Sequence, residues 1–180
     1  MTRPILGIST SSGRGSVALR GDGLRVARVY DALHAEHLLP QLDALLAEAG
    51  CRRVDLAGVA CDIGPGSFTG VRVGVACAKG IAVGLGLPLA GVVSLAAMAH
   101  DAFAAGALAT GDVALALLDA KRGEVFAAAY DASGALLLAP LYAPNAAAAS
   151  LAERLPGRRV VLVGAAAHAR AGAGVPAGTR

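Results

Sequence analysis

The chain has 180 residues, of which 56% are hydrophobic but only 3% aromatic, with no Trp and a formal net charge of +3. That length suits one domain or two small lobes, with a core that must be packed from Ala, Val and Leu. The basic residues fall in pairs, Arg52-Arg53, Lys121-Arg122 and Arg158-Arg159, without interleaved aromatics, which argues against a direct nucleic-acid surface. Cys51, Cys61 and Cys77 are odd in number and unrelated in spacing, which argues against a disulfide framework or a zinc site.

In chain order, Ile5 to Thr10, Ser16 to Arg20 and Arg25 to Tyr30 read as three strands joined by the turns Ser12-Gly13-Arg14-Gly15 and Gly21-Asp22-Gly23. The N-terminus runs straight into the first strand without an apolar leader and cleavage site, so no export signal is expected and the cytoplasm is the default location. A helix over about 35–49 follows, with Leu38, Leu39, Leu42, Leu45 and Leu46 on one face and Gly50 as its stop. Next come a strand at Leu56 to Cys61, a glycine-rich turn, a helix at Thr69 to Leu85, a strand at Leu89 to Val93 and a helix at Leu95 to Ala104. The uncharged run Gly80 to Ala99 passes the length test for a membrane span. Pro88 and its glycines divide it into a helix end, a strand and a new helix, so no membrane is expected.

A second series begins at Asp112. Leu118-Asp119 followed by Arg122-Gly123-Glu124-Val125 echoes Ile8-Ser9 followed by Arg14-Gly15-Ser16-Val17, an apolar strand and a polar turn before Arg-Gly opens the next strand. Strands at Glu124 to Tyr130 and Ala135 to Ala139, a helix at Asn145 to Leu155 and a strand at Arg159 to Val163 continue it. Ala165 to Arg180 reads as a loose Ala- and Gly-rich tail.

The most informative stretch is Asp62-Ile63-Gly64-Pro65-Gly66-Ser67-Phe68-Thr69-Gly70-Val71-Arg72-Val73-Gly74. Its glycines permit backbone geometries closed to other residues, Ser67 or Thr69 can cap the helix that follows, and the free amides at that helix start could attract an anion. The string is neither a Walker lysine loop nor the dinucleotide fingerprint, so chemistry alone leaves a structural turn and a phosphate cradle both open. Along the helix, Gly70, Gly74, Ala78 and Ala82 form a small-residue stripe, and Gly74, Gly80 and Gly84 each disfavour a helix by about 0.8–1 kcal/mol relative to Ala. Something must require close approach: either the chain's own sheet or another chain docked on this helix and on the Leu-rich helix before it.

Other chemistry is sparse. His34 and His37 flank Glu36 but lack the H-E-x-x-H spacing and any further ligand cluster. His100 and His168 are isolated. Neither Ser67 nor Cys61 has an assignable His-Asp arrangement, so no catalytic residue and no metal site are expected.

The wording of Gly64 to Gly74, GPGSFTGVRVG, resembles the signature of the TsaB (YeaZ) family, the dimerisation subunit of the bacterial machinery that makes tRNA N6-threonylcarbamoyladenosine (t6A37). Ile5 to Ser11 resembles that family's ILAIDTS strand, His34 to Pro40 its HSExLLP and Asp119 to Phe126 its DARxGEVY. The resemblance implies an α/β, actin-like ASKHA (ribonuclease H-like) fold, with two lobes of mixed sheet flanked by helices. The first lobe would span 1–104 and carry the partner-binding helices. The second, shortened at the C-terminus, would span 105–180.

The resemblance also implies a non-catalytic scaffold that dimerises with a catalytic subunit, TsaD, and through that dimer meets the ATPase TsaE. For the isolated chain a homodimer and a monomer both stay open, and tRNA would be met only through the complex. Because such subunits are held together through first-lobe helices, Leu38, Leu42, Gly70, Val71, Gly74, Val75 and Ala78 are the expected partner-binding residues. No cofactor is expected of the chain itself; ATP or ADP would sit at the subunit junction, supplied mainly by the partner. Ser9, Gly64, Gly66, Ser67 and Asp119 are the candidate nucleotide cleft. Actin-like ATPases place an acidic residue at the end of each lobe's first strand. Here the second lobe has Asp119 but the first has Ser9, and a neutral hydroxyl cannot position Mg2+ as a carboxylate does. The alternative reading is an ATP-dependent phosphotransferase of the ASKHA type, or a metallohydrolase of the M22 glycoprotease type, working in that cleft.

Overall fold

The computed structural model describes residues 2–31, 35–155 and 157–164. His34, His168 and the expected tail at 165–180 lie outside the described residues. The chain divides into two compact units, Met1–Val93 and from Ser94 onward.

In the first unit, strands β1 (Ile5–Ser9), β2 (Arg14–Gly21) and β3 (Leu24–Asp31) form the expected meander. β1 pairs antiparallel with β2, and β2 with β3. The two-residue turn Asp22-Gly23 joins the last pair, with Gly23 at φ +71. A short 3-10 turn at Ala35–His37 leads into α1 (Leu38–Glu48). Gly50, at φ +59, ends that helix in a left-handed conformation, and the Cys51 amide reaches back to the Leu46 carbonyl at 2.9 Å. β4 (Gly58–Asp62), α2 (Phe68–Leu85) and β5 (Leu89–Val92) complete the unit.

The sheet order is β3-β2-β1-β4-β5, with β4 parallel to β1 and β5 parallel to β4. Leu6, Ile8, Val17, Leu19, Val59 and Cys61 share one core with Leu38, Leu42, Leu45 and Leu46 of α1 and with Ala78 and Ala82 of α2. By length and composition α2 is apolar enough to cross a membrane, yet it packs along β4, β1 and β5. The run Gly80 to Ala99 is broken as the sequence predicts, into the end of α2, the strand β5 and a new helix.

The second unit opens with α3 (Ser94–Ala104) and continues through β6 (Val113–Lys121), β7 (Glu124–Tyr130), β8 (Leu136–Pro144), α4 (Ala148–Glu153) and β9 (Val160–Val163). The strand expected at Ala135 to Ala139 runs on to Pro144 because it pairs along the whole of β7, with shifts of register near Ala127 and Tyr130. The expected helix at 145–155 starts as a 3-10 turn at Asn145–Ala147 before α4. Val113 to Leu118 are buried without alternation, as befits a central strand covered on both faces.

The order β8-β7-β6-β9 repeats β3-β2-β1-β4 strand for strand, including the parallel pair β6–β9. The echo at Asp119 therefore marks a repeated lobe, and two mixed sheets flanked by helices form the actin-like α/β fold. One boundary moves. The sequence groups the helix ending at 104 with the first lobe, whereas the compact units divide at Val93, because α3 packs on β6, β7 and β9.

Candidate functional site

The glycine-rich turn lies directly on the turn between β1 and β2. The Ser67 amide donates to the Ser11 carbonyl at 2.6 Å, and the Thr10 hydroxyl donates to the Gly70 carbonyl at 2.7 Å. A side-chain carbon at Gly66 would fall on the Ser11 carbonyl oxygen, and one at Gly70 on that of Thr10. Gly64, at φ +88, turns the chain, and its amide donates to Asp62 Oδ1 at 2.9 Å. Ser67 caps α2, its Oγ accepting from the Gly70 amide at 3.2 Å. The open choice between a phosphate cradle and close backbone contact thus gains a concrete element. Gly66 and Gly70 are small because two turns of the same unit touch there, and the Ser67 and Gly70 amides have partners within the chain.

The small-residue stripe continues this contact. A side-chain carbon at Gly74 would overlap the Thr10 hydroxyl and lie 3.8 Å from Cys61 Sγ, and Ala78 and Ala82 are buried in the first-unit core. Leu38 and Leu42 are buried in the same core. Of the residues expected to bind a partner, then, Leu38, Leu42, Gly74 and Ala78 are used by the fold itself, and Gly70, Val71 and Val75 are half-buried beside them. The stripe faces inward because the absence of side chains lets α2 settle on Thr10 and on β4.

The flank of α2 that meets α1 carries a different set. Built side-chain carbons at Gly80 and Gly84 meet no atom within 4 Å. Together with Val73, Cys77, Ile81 and Leu85 they line one wall of a groove whose other wall is Leu38, Leu39 and Leu42 of α1. The groove consists of two adjoining depressions of about 320 and 340 Å3, which share Leu39, Gly80 and Ile81. Leu39 is 58% exposed and Val83 81%, so apolar surface extends beyond the groove. The ion pair of Arg53 with Asp43, at 2.6 Å, sits at one end. At the start of α2 the Phe68 ring, 75% exposed, lies beneath the Arg72 guanidinium at 5.2 Å. Sequence reasoning counted Gly80 and Gly84 among the costly glycines but did not separate them from the inward stripe. Their offset from the four-residue rhythm was the signal available.

The candidate cleft residues divide between the units. Ser9, Gly64, Gly66 and Ser67 belong to the first, Asp119 to the second. Ser9 closes β1, and its hydroxyl donates to Asp62 Oδ2 at 2.7 Å, so a carboxylate does stand beside Ser9, reached from the neighbouring strand. Sequence reasoning named Asp62 without a role. Asp119, towards the end of β6, accepts from the Lys121 amide at 2.8 Å and from its ammonium at 3.0 Å, which lower its pKa below the ordinary carboxylate value. Lys121 and Arg122 take positive φ values of 68 and 55, followed by Gly123 at 81, in the tight turn to β7.

No reactive thiol emerges from these surroundings. Burial first, then the charge of Asp62 and the neighbouring Cys77, push Cys61 up to about 11, so it stays protonated at neutral pH. Burial raises Cys77 as well. Among the described residues, no three His, Cys, Asp or Glu side chains converge as a metal site.

Comparison with known proteins agrees with this architecture. A family model described as TsaD, tRNA N6-adenosine threonylcarbamoyltransferase, matches residues 26–158. The chain is 38% identical over 128 residues to the tRNA threonylcarbamoyladenosine biosynthesis protein TsaB of Escherichia coli, covering 70% of this chain and 54% of that protein. It is 37% identical over 124 residues to the Haemophilus influenzae protein of the same name, covering 68% and 51%. The chain therefore spans about half the length of the curated relatives it matches. The solved structure of YeaZ from Pseudomonas aeruginosa superposes with a TM-score of 0.72 at 31% identity, over 88% of this chain and 82% of that one. On these matches the chain belongs to the TsaB/YeaZ family.

Proposed function

We propose that this chain is a non-catalytic scaffold subunit in tRNA threonylcarbamoyladenosine biosynthesis, and that it holds a TsaD-type catalytic subunit on the groove between α1 and α2. The observation that carries this reading is the pair Gly80 and Gly84 of α2, where an added side-chain carbon would meet no atom of the described residues within 4 Å, set in an apolar groove. Each disfavours the helix by about 0.8–1 kcal/mol. Such positions make sense where a partner's backbone must come close, and an apolar patch of this kind marks a protein contact. TsaE joins through the dimer, tRNA is met through the complex, and ATP or ADP at the junction is held mainly by the partner.

The chemistry near the signature turn supports a non-catalytic role. The thiol nearest the turn is held protonated, and the carboxylate beside Ser9 is engaged by hydroxyl and amide donors. Size-exclusion chromatography with the cognate TsaD-type subunit tests the partnership: the two co-elute, and separate elution at micromolar concentration would sink it. ATP turnover by the isolated chain on the order of 1 per second, an ordinary enzymatic rate, would sink the scaffold role.

A further inference from the structure

Asp62 is the last residue of β4 and is buried. The parallel register sets Ile8 opposite Cys61, so that Ser9 and Asp62 are the next residues along both strands. Oδ2 accepts the Ser9 hydroxyl at 2.7 Å and also that of Ser11, while Oδ1 accepts the Gly64 amide at 2.9 Å. One carboxylate thus ties the end of β1, the turn after it and the first residue that bends in the glycine-rich turn. The same two turns also meet through Ser67 and Ser11 and through Thr10 and Gly70.

We propose that Asp62 is a positioning residue: its carboxylate fastens the glycine-rich turn to the β1–β2 turn and so sets where α2 begins. Both of its oxygens are turned to hydrogen-bond donors, an arrangement that suits an internal anion. A Mg2+ ion would compete with the hydroxyl and amide protons already aimed at these oxygens. Hydrogen bonds to a buried charge are among the stronger ones, and removing the acceptor leaves its donors without it. The inference rests on the geometry of the first unit alone and stands whether or not the groove binds a TsaD-type subunit.

Hydrogen exchange on the full chain tests it. Asp62→Ala speeds exchange at the Gly64 and Ser67 amides by about tenfold or more, the scale of a charge-assisted hydrogen bond, while the β6 and β7 amides keep their protection. The double variant Ser9→Asp, Asp62→Ser returns a carboxylate from the adjacent strand and restores slow exchange at both amides. Unchanged exchange in a folded Asp62→Ala chain overturns the proposal, as does failure of the folded double variant to restore protection. Should Asp62→Ala not fold, Asp62→Leu, close in size and unable to accept a hydrogen bond, carries the same test, and no change at Gly64 and Ser67 overturns the proposal. Calorimetric titration with Mg2+-ATP separates the rival role: binding by the natural chain that vanishes in Asp62→Asn makes the carboxylate a ligand and ends the positioning reading.

Discussion

Gly70 and Gly74 share α2 with Gly80 and Gly84, yet the two pairs answer to different physics. At the first pair a single added carbon would strike Thr10, at its carbonyl oxygen or its hydroxyl. At the second pair the same carbon would meet nothing. Each pair contains a helix-interior glycine, Gly74 or Gly80, that weakens the helix by about 1 kcal/mol. In the first pair the fold recovers that loss through close packing of helix on turn. For the second pair it recovers nothing, which is why the open pair, and not the buried one, bears the docking proposal.

The sharpest way to break this contrast is Gly70→Ala. Its new carbon would press on backbone, which cannot rotate away as a flexible side chain can, so the first unit should lose about 3 kcal/mol or more. Chemical denaturation followed by circular dichroism reads that loss directly. A loss below about 1 kcal/mol, the ordinary scale of a surface change, would show that α2 does not lie against Thr10 as described.

On the open face the sign reverses. Gly80→Ala and Gly84→Ala should each stabilise the chain by up to about 1 kcal/mol, because Ala favours the helix and has room. A bulky side chain there should leave the fold intact and weaken association. For Gly80→Leu, affinity for the TsaD-type subunit should fall about tenfold, as expected where overpacking at the contact amounts to roughly 1–3 kcal/mol. Titration calorimetry with both proteins decides it. Unchanged affinity in Gly80→Leu and Gly84→Leu alike would move the partner off this groove, while Gly70→Ala would still test the inward packing.

This contrast also marks how far the sequence could be read. The meander, the Leu-rich helix, the signature turn and the repeat at Asp119 were legible because each is local: alternation, a 3.6-residue period, glycine at a turn. Which way a helix faces is not local. A stripe repeating every four residues says that one face is small, and whether that face meets a sheet or a partner depends on where the β1–β2 turn lies. The fold answers it through hydrogen bonds such as that from Thr10 to Gly70, sixty residues apart in sequence. Ser9 shows the same limit. As a sequence position it was a missing acid; in space Asp62, 53 residues on, brings a carboxylate within 2.7 Å of it. Likewise α3 was legible as a helix, but nothing in its own residues says that it belongs with β6 rather than with the strand before it.

The cysteines offer the gentlest probe of the two faces, since Cys61 lies beneath the inward face of α2 and Cys77 lines the groove. A thiol reagent should modify Cys61 last of the three cysteines, because it is buried and ionises only near 11, whereas Cys51 and Cys77 are half-buried. The same shift has a consequence for stability. A thiol whose folded pKa is raised contributes stability that is fully present below its ordinary value of 9.0 and is lost as pH rises through about 11. Denaturation midpoints of the natural chain should therefore decline between those two pH values more steeply than those of Cys61→Ala, which has no thiol there to ionise. Parallel curves would mean that Cys61 is better hydrated than its place under α2 allows, and the inward face would then be looser than Gly74 and Ala78 make it.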